Sequence, residues 1–170
     1  MRLVLMAVLA FVSLAAPARA ADWTTYRYPD LAFAVAFPAA PTRLNKPQAT
    51  STTPIPTEYL YVLVDGTLYM VSSSDVATHS EVWQAPDTSA RQILDGALGA
   101  GTVLSPPARL PAPAAWEGVT VAENKRTRVR GYVQGKRGYT VMIVAPVDHP
   151  ERIADAAAER FFASFTPDGS

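Results

Sequence analysis

Six basic residues stand close together in the C-terminal half of the chain: Lys125, Arg126, Arg128, Arg130, Lys136 and Arg137. Arg126, Arg128 and Arg130 alternate, so a strand points all three the same way, and Tyr132 continues the row. Val129 and Val133 point to the opposite side. Guanidinium groups on one face can grip a carboxylate, a phosphate or an acidic protein surface. The plainer alternative is an exposed strand face, neutralised across a hairpin by Glu117 or Glu123, that discourages edge aggregation. Arg126, Arg128, Arg130, Tyr132, Lys136 and Arg137 are the candidate binding residues.

The chain has two histidines, the commonest general bases. His79 lies in Ser72-Ser73-Ser74-Asp75-Val76-Ala77-Thr78-His79-Ser80-Glu81. Serine, histidine and acid together invite a hydrolase reading. No Gly-x-Ser-x-Gly nucleophile elbow accompanies them, and such clusters are also what a solvated loop looks like. His149 stands between Asp148 and Pro150, where Asp148 or His149 as a helix N-cap is the ordinary explanation. No His-Glu-x-x-His, phosphate-binding or dinucleotide-binding glycine pattern occurs. No catalytic, cofactor-binding or metal-binding residues are assigned. Tyr59, Tyr61 and Tyr69 flank one expected hairpin, and Trp23, Trp83 and Trp116 lie near element ends. Tyr and Trp are frequent at interfaces and equally frequent as cross-strand packing.

The elements that must position these residues follow from local pattern. Trp23 to Tyr28 is aromatic and β-branched, a strand composition. In Phe33 to Phe37, Phe33, Val35 and Phe37 alternate with alanines, the period of a strand facing a core. Five prolines between Pro38 and Pro56 predict an irregular loop or a proline-interrupted edge strand. Glu58 to Val64, Asp65-Gly66 and Thr67 to Val71 predict a hairpin, because both turn residues tolerate positive φ. Residues 72–88 read as polar and irregular. Ser89 to Gln92 matches a capping box, and Ile93, Leu94, Ala97 and Leu98 share one helical face before Gly99. Residues 105–115 read as a proline-rich connector.

Trp116 to Glu123, Arg126 to Gln134 and Tyr139 to Val147 then predict a meander with turns at Asn124-Lys125 and Gly135 to Gly138. Pro150 opens a closing helix with Ile153, Ala157 and Phe161 buried. Glu151, Asp155 and Glu159 form an acidic stripe on its solvent face. Hairpins and meanders give an antiparallel sheet, which helices with one apolar face must cover. The expected class is α+β: one domain with a central antiparallel β-sheet covered by helices, an α/β/α sandwich.

The first twenty residues, MRLVLMAVLAFVSLAAPARA, stand apart. Arg2 leads an apolar run from Leu3 to Leu14, and Ala18-Arg19-Ala20 matches a signal-peptidase site. The run is short for a spanning helix. The expectation is a signal peptide over 1–20, cleavage after Ala20, and a single domain over 21–170 in the periplasm or outside the cell. An uncleaved anchor is the rival. The whole chain of 170 residues has 15 basic and 15 acidic residues. Cleavage removes Arg2 and Arg19, leaving 13 basic against 15 acidic residues, a net charge of −2. That balance and an exported location argue against nucleic acid as a partner. The absence of cysteine excludes disulfides, thiolate metal sites and a lipidated cysteine, and fits an oxidising compartment.

The order of elements and several strings resemble the PsbP-like superfamily. Phe33-Ala34-Val35-Ala36-Phe37-Pro38 with Pro41 resembles that family's early strand. The helix at 89–99, the proline-rich turn and the following strand resemble its middle. Tyr139 to Val144 and the closing Arg160-Phe161-Phe162-Ala163-Ser164-Phe165 resemble its final strand, helix and tail. The resemblance implies an α/β/α sandwich and no reaction, since such relatives are mostly binding, assembly or accessory proteins. The reading is therefore an exported, non-enzymatic binding or accessory module meeting a protein or anionic envelope component, with no membrane anchor after cleavage. A small periplasmic hydrolase using the His79 loop and a small-ligand carrier with a pocket between sheet and helix are the alternatives.

Overall fold

The computed structural model describes residues 22–48, 54–76, 84–111 and 114–168. The expected signal segment, His79 and Trp83 lie outside the described residues. Ten strands and two α-helices follow in order: β1 (Thr24–Tyr28), β2 (Phe33–Phe37), β3 (Thr42–Asn45), β4 (Thr57–Val64), β5 (Thr67–Asp75), α1 (Pro86–Leu98), β6 (Thr102–Leu110), β7 (Ala115–Ala122), β8 (Lys125–Gln134), β9 (Arg137–Pro146), α2 (Ala156–Ser164) and β10 (Thr166–Pro167). Seven of the strands form one antiparallel sheet in the order β3-β4-β5-β9-β8-β7-β6. A smaller sheet, β1-β2-β10, lies against it. No helix among the described residues is long and apolar enough to cross a membrane.

Each hairpin is set by its turn. Asp65 and Gly66 take φ of 49° and 77°, as the Asp-Gly pair predicts, and join β4 to β5. Glu123 (φ 52°) and Gly135 (φ 56°) do the same for β7-β8 and β8-β9.

One face of the large sheet, the inner face, is closed by β2, β10 and α2. Phe33, Val35 and Phe37 pack there against Val71, Val141, Ile143, Phe161 and Phe165. The β2 alanines are buried as well, so both faces of that strand are covered. The Tyr139 hydroxyl crosses this core to donate to the carbonyls of Leu31 (3.2 Å) and Ala32 (3.0 Å). Burial pushes its pKa up to about 12. The other face, the outer face, receives α1. Leu94 and Leu98 pack on Val129, and glycines let the helix approach. A Cβ at Gly131 would stand 2.6 Å from the Ala90 carbonyl and 2.8 Å from the Leu94 nitrogen.

Sheet-rich α+β architecture is therefore present, and five local expectations change. Half of the expected second helical layer is instead a small β-sheet. The helix at 89–99 begins earlier, at Pro86: Pro86 supplies the first turn, and the Ser89 hydroxyl accepts from Gln84 N at 3.0 Å. The connector at 105–115 is largely the edge strand β6. Its prolines are tolerated because it pairs on one side only, with β7, through a shifted register. Likewise β5 continues through Ser72–Asp75, and the closing helix splits into a 3-10 turn at Pro150–Ile153 and α2, capped by Asp155.

Candidate interaction surface

The arginine row falls on the inner face, as its period requires. Arg128 pairs with Val119 and Ile143 across the sheet, and Tyr132 joins the main core. The row lies beneath α2 and the 3-10 turn. Arg128 donates to both Glu117 carboxylate oxygens (3.2 and 3.1 Å), to Glu159 Oε1 (2.5 Å) and to the Ile153 carbonyl (3.2 Å). Arg130 Nε donates to Glu117 at 2.5 Å. Both guanidinium groups also stack over the Phe162 ring, at 4.8 and 4.5 Å. Their side chains are only 12% and 17% exposed.

Burial works against the Arg130 charge, but the hydrogen bond with Glu117 and the neighbouring Tyr132 outweigh it and raise its pKa. Burial likewise raises the Tyr132 phenol, with Arg130 pulling the other way. The Arg128 and Arg130 guanidinium groups are thus engaged within the chain. It braces the last helix.

The rest of the basic cluster divides. Arg126 is half-buried, and its Nε has no hydrogen-bond partner. Arg137 donates to Ser73 Oγ (3.3 Å) and to the Asp30 carbonyl (2.9 Å). Lys136 is exposed in the β8-β9 turn. The expected acidic stripe also splits, because Asp155 caps α2 and Glu159 turns to Arg128. His149 Nδ1 meets Glu151 Oε1 at 3.2 Å on the exposed surface. Two serines of the expected hydrolase loop have structural partners: Ser73 meets Arg137, and Ser74 meets the Thr57 hydroxyl at 2.8 Å. Among the described residues no three His, Cys, Asp or Glu side chains gather to hold a metal ion.

A different surface is left open. Helix α1 packs on β7, β8 and β9, which is one half of the outer face. The other half, β3-β4-β5, presents Leu44, Tyr59, Tyr61, Leu63, Leu68 and Met70. Register places them together: Leu44 opposes Tyr59, Tyr61 opposes Met70, and Leu63 opposes Leu68. Leu44 is 46% and Leu63 66% exposed, while Tyr59, Tyr61, Leu68 and Met70 are half-buried.

Tyr69, the third tyrosine of this hairpin, faces the opposite way and is buried against Trp23 and Phe161. At the β3 edge an open groove of about 450 Å³ is lined by Leu44, Lys46, Pro47, Gln48 and Tyr59. It lies at the sheet edge, not between sheet and helix.

A sequence signal for this surface exists in Glu58 to Val64, where Tyr59 and Tyr61 alternate with Leu60 and Val62. A strand apolar on both sides expects cover on both sides. Among the described residues, β4 is covered on one.

The architecture is a PsbP-like fold. A search of the solved structures places the chain with cyanobacterial PsbP (CyanoP) from Synechocystis sp. PCC 6803, whose solution structure matches at a TM-score of 0.54. The match covers 86% of this chain and 93% of that one, at 10% sequence identity. At that identity the likeness concerns the fold alone. No family model and no curated protein matches by sequence.

Proposed function

We propose that the protein is an exported, non-enzymatic binding or accessory module of the bacterial envelope, and that it meets its partner through the open half of the outer face. The observation that carries this reading is the cluster of Leu44, Tyr59, Tyr61, Leu63 and Met70 beside α1. Isolated exposed apolar residues are ordinary, but a contiguous set with aromatic members marks an interaction surface. The signal-like N-terminus supplies the address, with cleavage after Ala20 and release to the periplasm or medium. The PsbP-like fold agrees with a binding role and prescribes no reaction.

Two experiments test this. Cell fractionation is expected to find the shortened chain outside the cytoplasm; full-length protein retained inside overturns the export half. A pull-down from envelope extract is expected to lose its specific partners with Tyr61→Glu and to keep them with Arg128→Ala. Identical partner sets for wild type and Tyr61→Glu overturn the assignment of the surface.

A further inference from the structure

The dimensions of the open surface restrict what can cover it. At about 4.8 Å spacing, β4 and β5 over about eight residues, with the four residues of β3 beside them, make a field of at most about 310 Å² and about 26 Å long. A stable interface between folded proteins takes about 800 Å² from each side. A second copy of this chain, or the flat side of another domain, would leave most of its contact area elsewhere. An α-helix, about 10 Å across and about 17 residues for this length, fits the field. The neighbouring half of the same face already carries such an occupant, because α1 lies there with Leu94 and Leu98 turned to the sheet.

The charge of the field narrows the occupant further. The outward positions of β3, β4 and β5 are Thr42, Leu44, Thr57, Tyr59, Tyr61, Leu63, Leu68, Met70, Ser72 and Ser74. All are uncharged. Their charged alternates, Arg43, Glu58 and Asp75, belong to the inner side, where Arg43 bridges Asp30 (2.7 Å) and Glu58 (3.0 Å). Lys46, one step beyond β3, lines the groove beside Leu44 and Tyr59. It is the one charged side chain among the described residues lining that groove.

From these observations we infer that the open half accepts an amphipathic helix of a partner protein, laid beside α1. Its uncharged apolar stripe covers Tyr59, Tyr61, Leu63 and Met70. An acidic group near one of its ends meets Lys46. This rests on the assignment of the face as the contact surface.

The test uses two synthetic 17-residue helical peptides with a leucine and alanine stripe, one carrying glutamate and the other lysine at the same end. They are titrated into the ¹⁵N-labelled protein. The expected amide shifts cluster on Leu44, Tyr59, Tyr61 and Met70. Tyr61→Ser is expected to weaken binding about tenfold, the loss typical of a central aromatic anchor. Lys46→Glu, at an exposed side chain, is expected to invert the preference between the two peptides. Equal binding of both peptides by Lys46→Glu, or shifts spread over α1 and β6, overturns the inference.

Sedimentation, and flotation with phosphatidylglycerol-containing vesicles, separate the two failures. A dimer, or a vesicle complex, that Tyr61→Ser disperses overturns the helix while leaving the face an interface. No binding of any of these probes, with no effect of Tyr61→Ser, overturns both.

Discussion

The two faces of the large sheet invert the usual distribution of side chains. The inner face buries charge: Arg128, Arg130 and Glu117 lie under α2, each satisfied by the others or by Phe162, Glu159 and a carbonyl. The open half of the outer face leaves apolar surface in reach of solvent: Leu63 is exposed, Tyr59, Tyr61 and Met70 are half-buried, and α1 does not cover them. Buried polar groups and exposed apolar patches are the informative departures from the inside-outside rule. They carry opposite meanings here. A buried charge with partners is explained by the fold itself, whereas an apolar patch without cover is explained by something outside it.

The largest loss is expected on the inner face. Phe161 is fully buried and touches Phe37, Tyr69 and Phe162. Phe161→Ala is expected to cost about 3–5 kcal/mol, the transfer loss plus the cavity left behind. Urea unfolding measures it, and a loss below about 1 kcal/mol, typical of a surface position, would show that α2 is peripheral to the core.

The covered half of the outer face comes next. Gly131→Val places a Cβ against the Ala90 carbonyl and the Leu94 nitrogen, which are backbone atoms of α1 and cannot rotate aside. A cost of about 3 kcal/mol is expected as the helix lifts. Amide exchange in α1 is expected to accelerate more than exchange in α2. Equal acceleration in both would mean that the two covers are one cooperative unit.

The arginine brace ranks third. Glu117→Gln removes the carboxylate shared by Arg128 and Arg130 while keeping its shape. Breaking a fully buried pair costs about 3–5 kcal/mol, and this one, with Glu117 21% exposed, is expected to cost about 2. Glu159→Gln, at a 55% exposed position, is expected to cost under about 1 kcal/mol. Equal losses from the two variants would show that the brace is governed by solvent-screened charge, as on a free surface.

How much of this was legible in the sequence differs between the two faces. The Asp65-Gly66 hairpin and the meander from Ala115 to Pro146 follow from turn chemistry and period-two alternation, which are local. The common direction of Arg126, Arg128 and Arg130 follows from the same period. The burial of Arg128 and Arg130 does not, because it depends on α2, whose Glu159 lies 31 residues further along the chain from Arg128. Edge strand β6 was hidden by Pro106 and Pro107, which read as a connector until the sheet shows that β6 pairs on one side only. In β4 the two-sided apolar pattern was legible, but not which side lacks cover, since α1 sits on β7 to β9 through Gly118, Gly131 and Gly138.

The smallest expected effect is the sharpest test of the difference between the faces. Leu63 lies near the tip of the β4-β5 hairpin and is two-thirds exposed. Leu63→Ser removes a large apolar side chain, which on the inner face would cost several kcal/mol. Here the removed atoms already face water, so little transfer energy is lost and no cavity forms. The stability of the isolated protein is expected to stay within about 0.5 kcal/mol of wild type, as for surface positions away from special features. Binding of an apolar helix is expected to fall while unfolding by urea stays unchanged. A loss of 2 kcal/mol or more in the isolated protein would mean that Leu63 is already covered by the chain itself. The open half would then belong to the core, and the two faces would differ only in which part of the chain closes them.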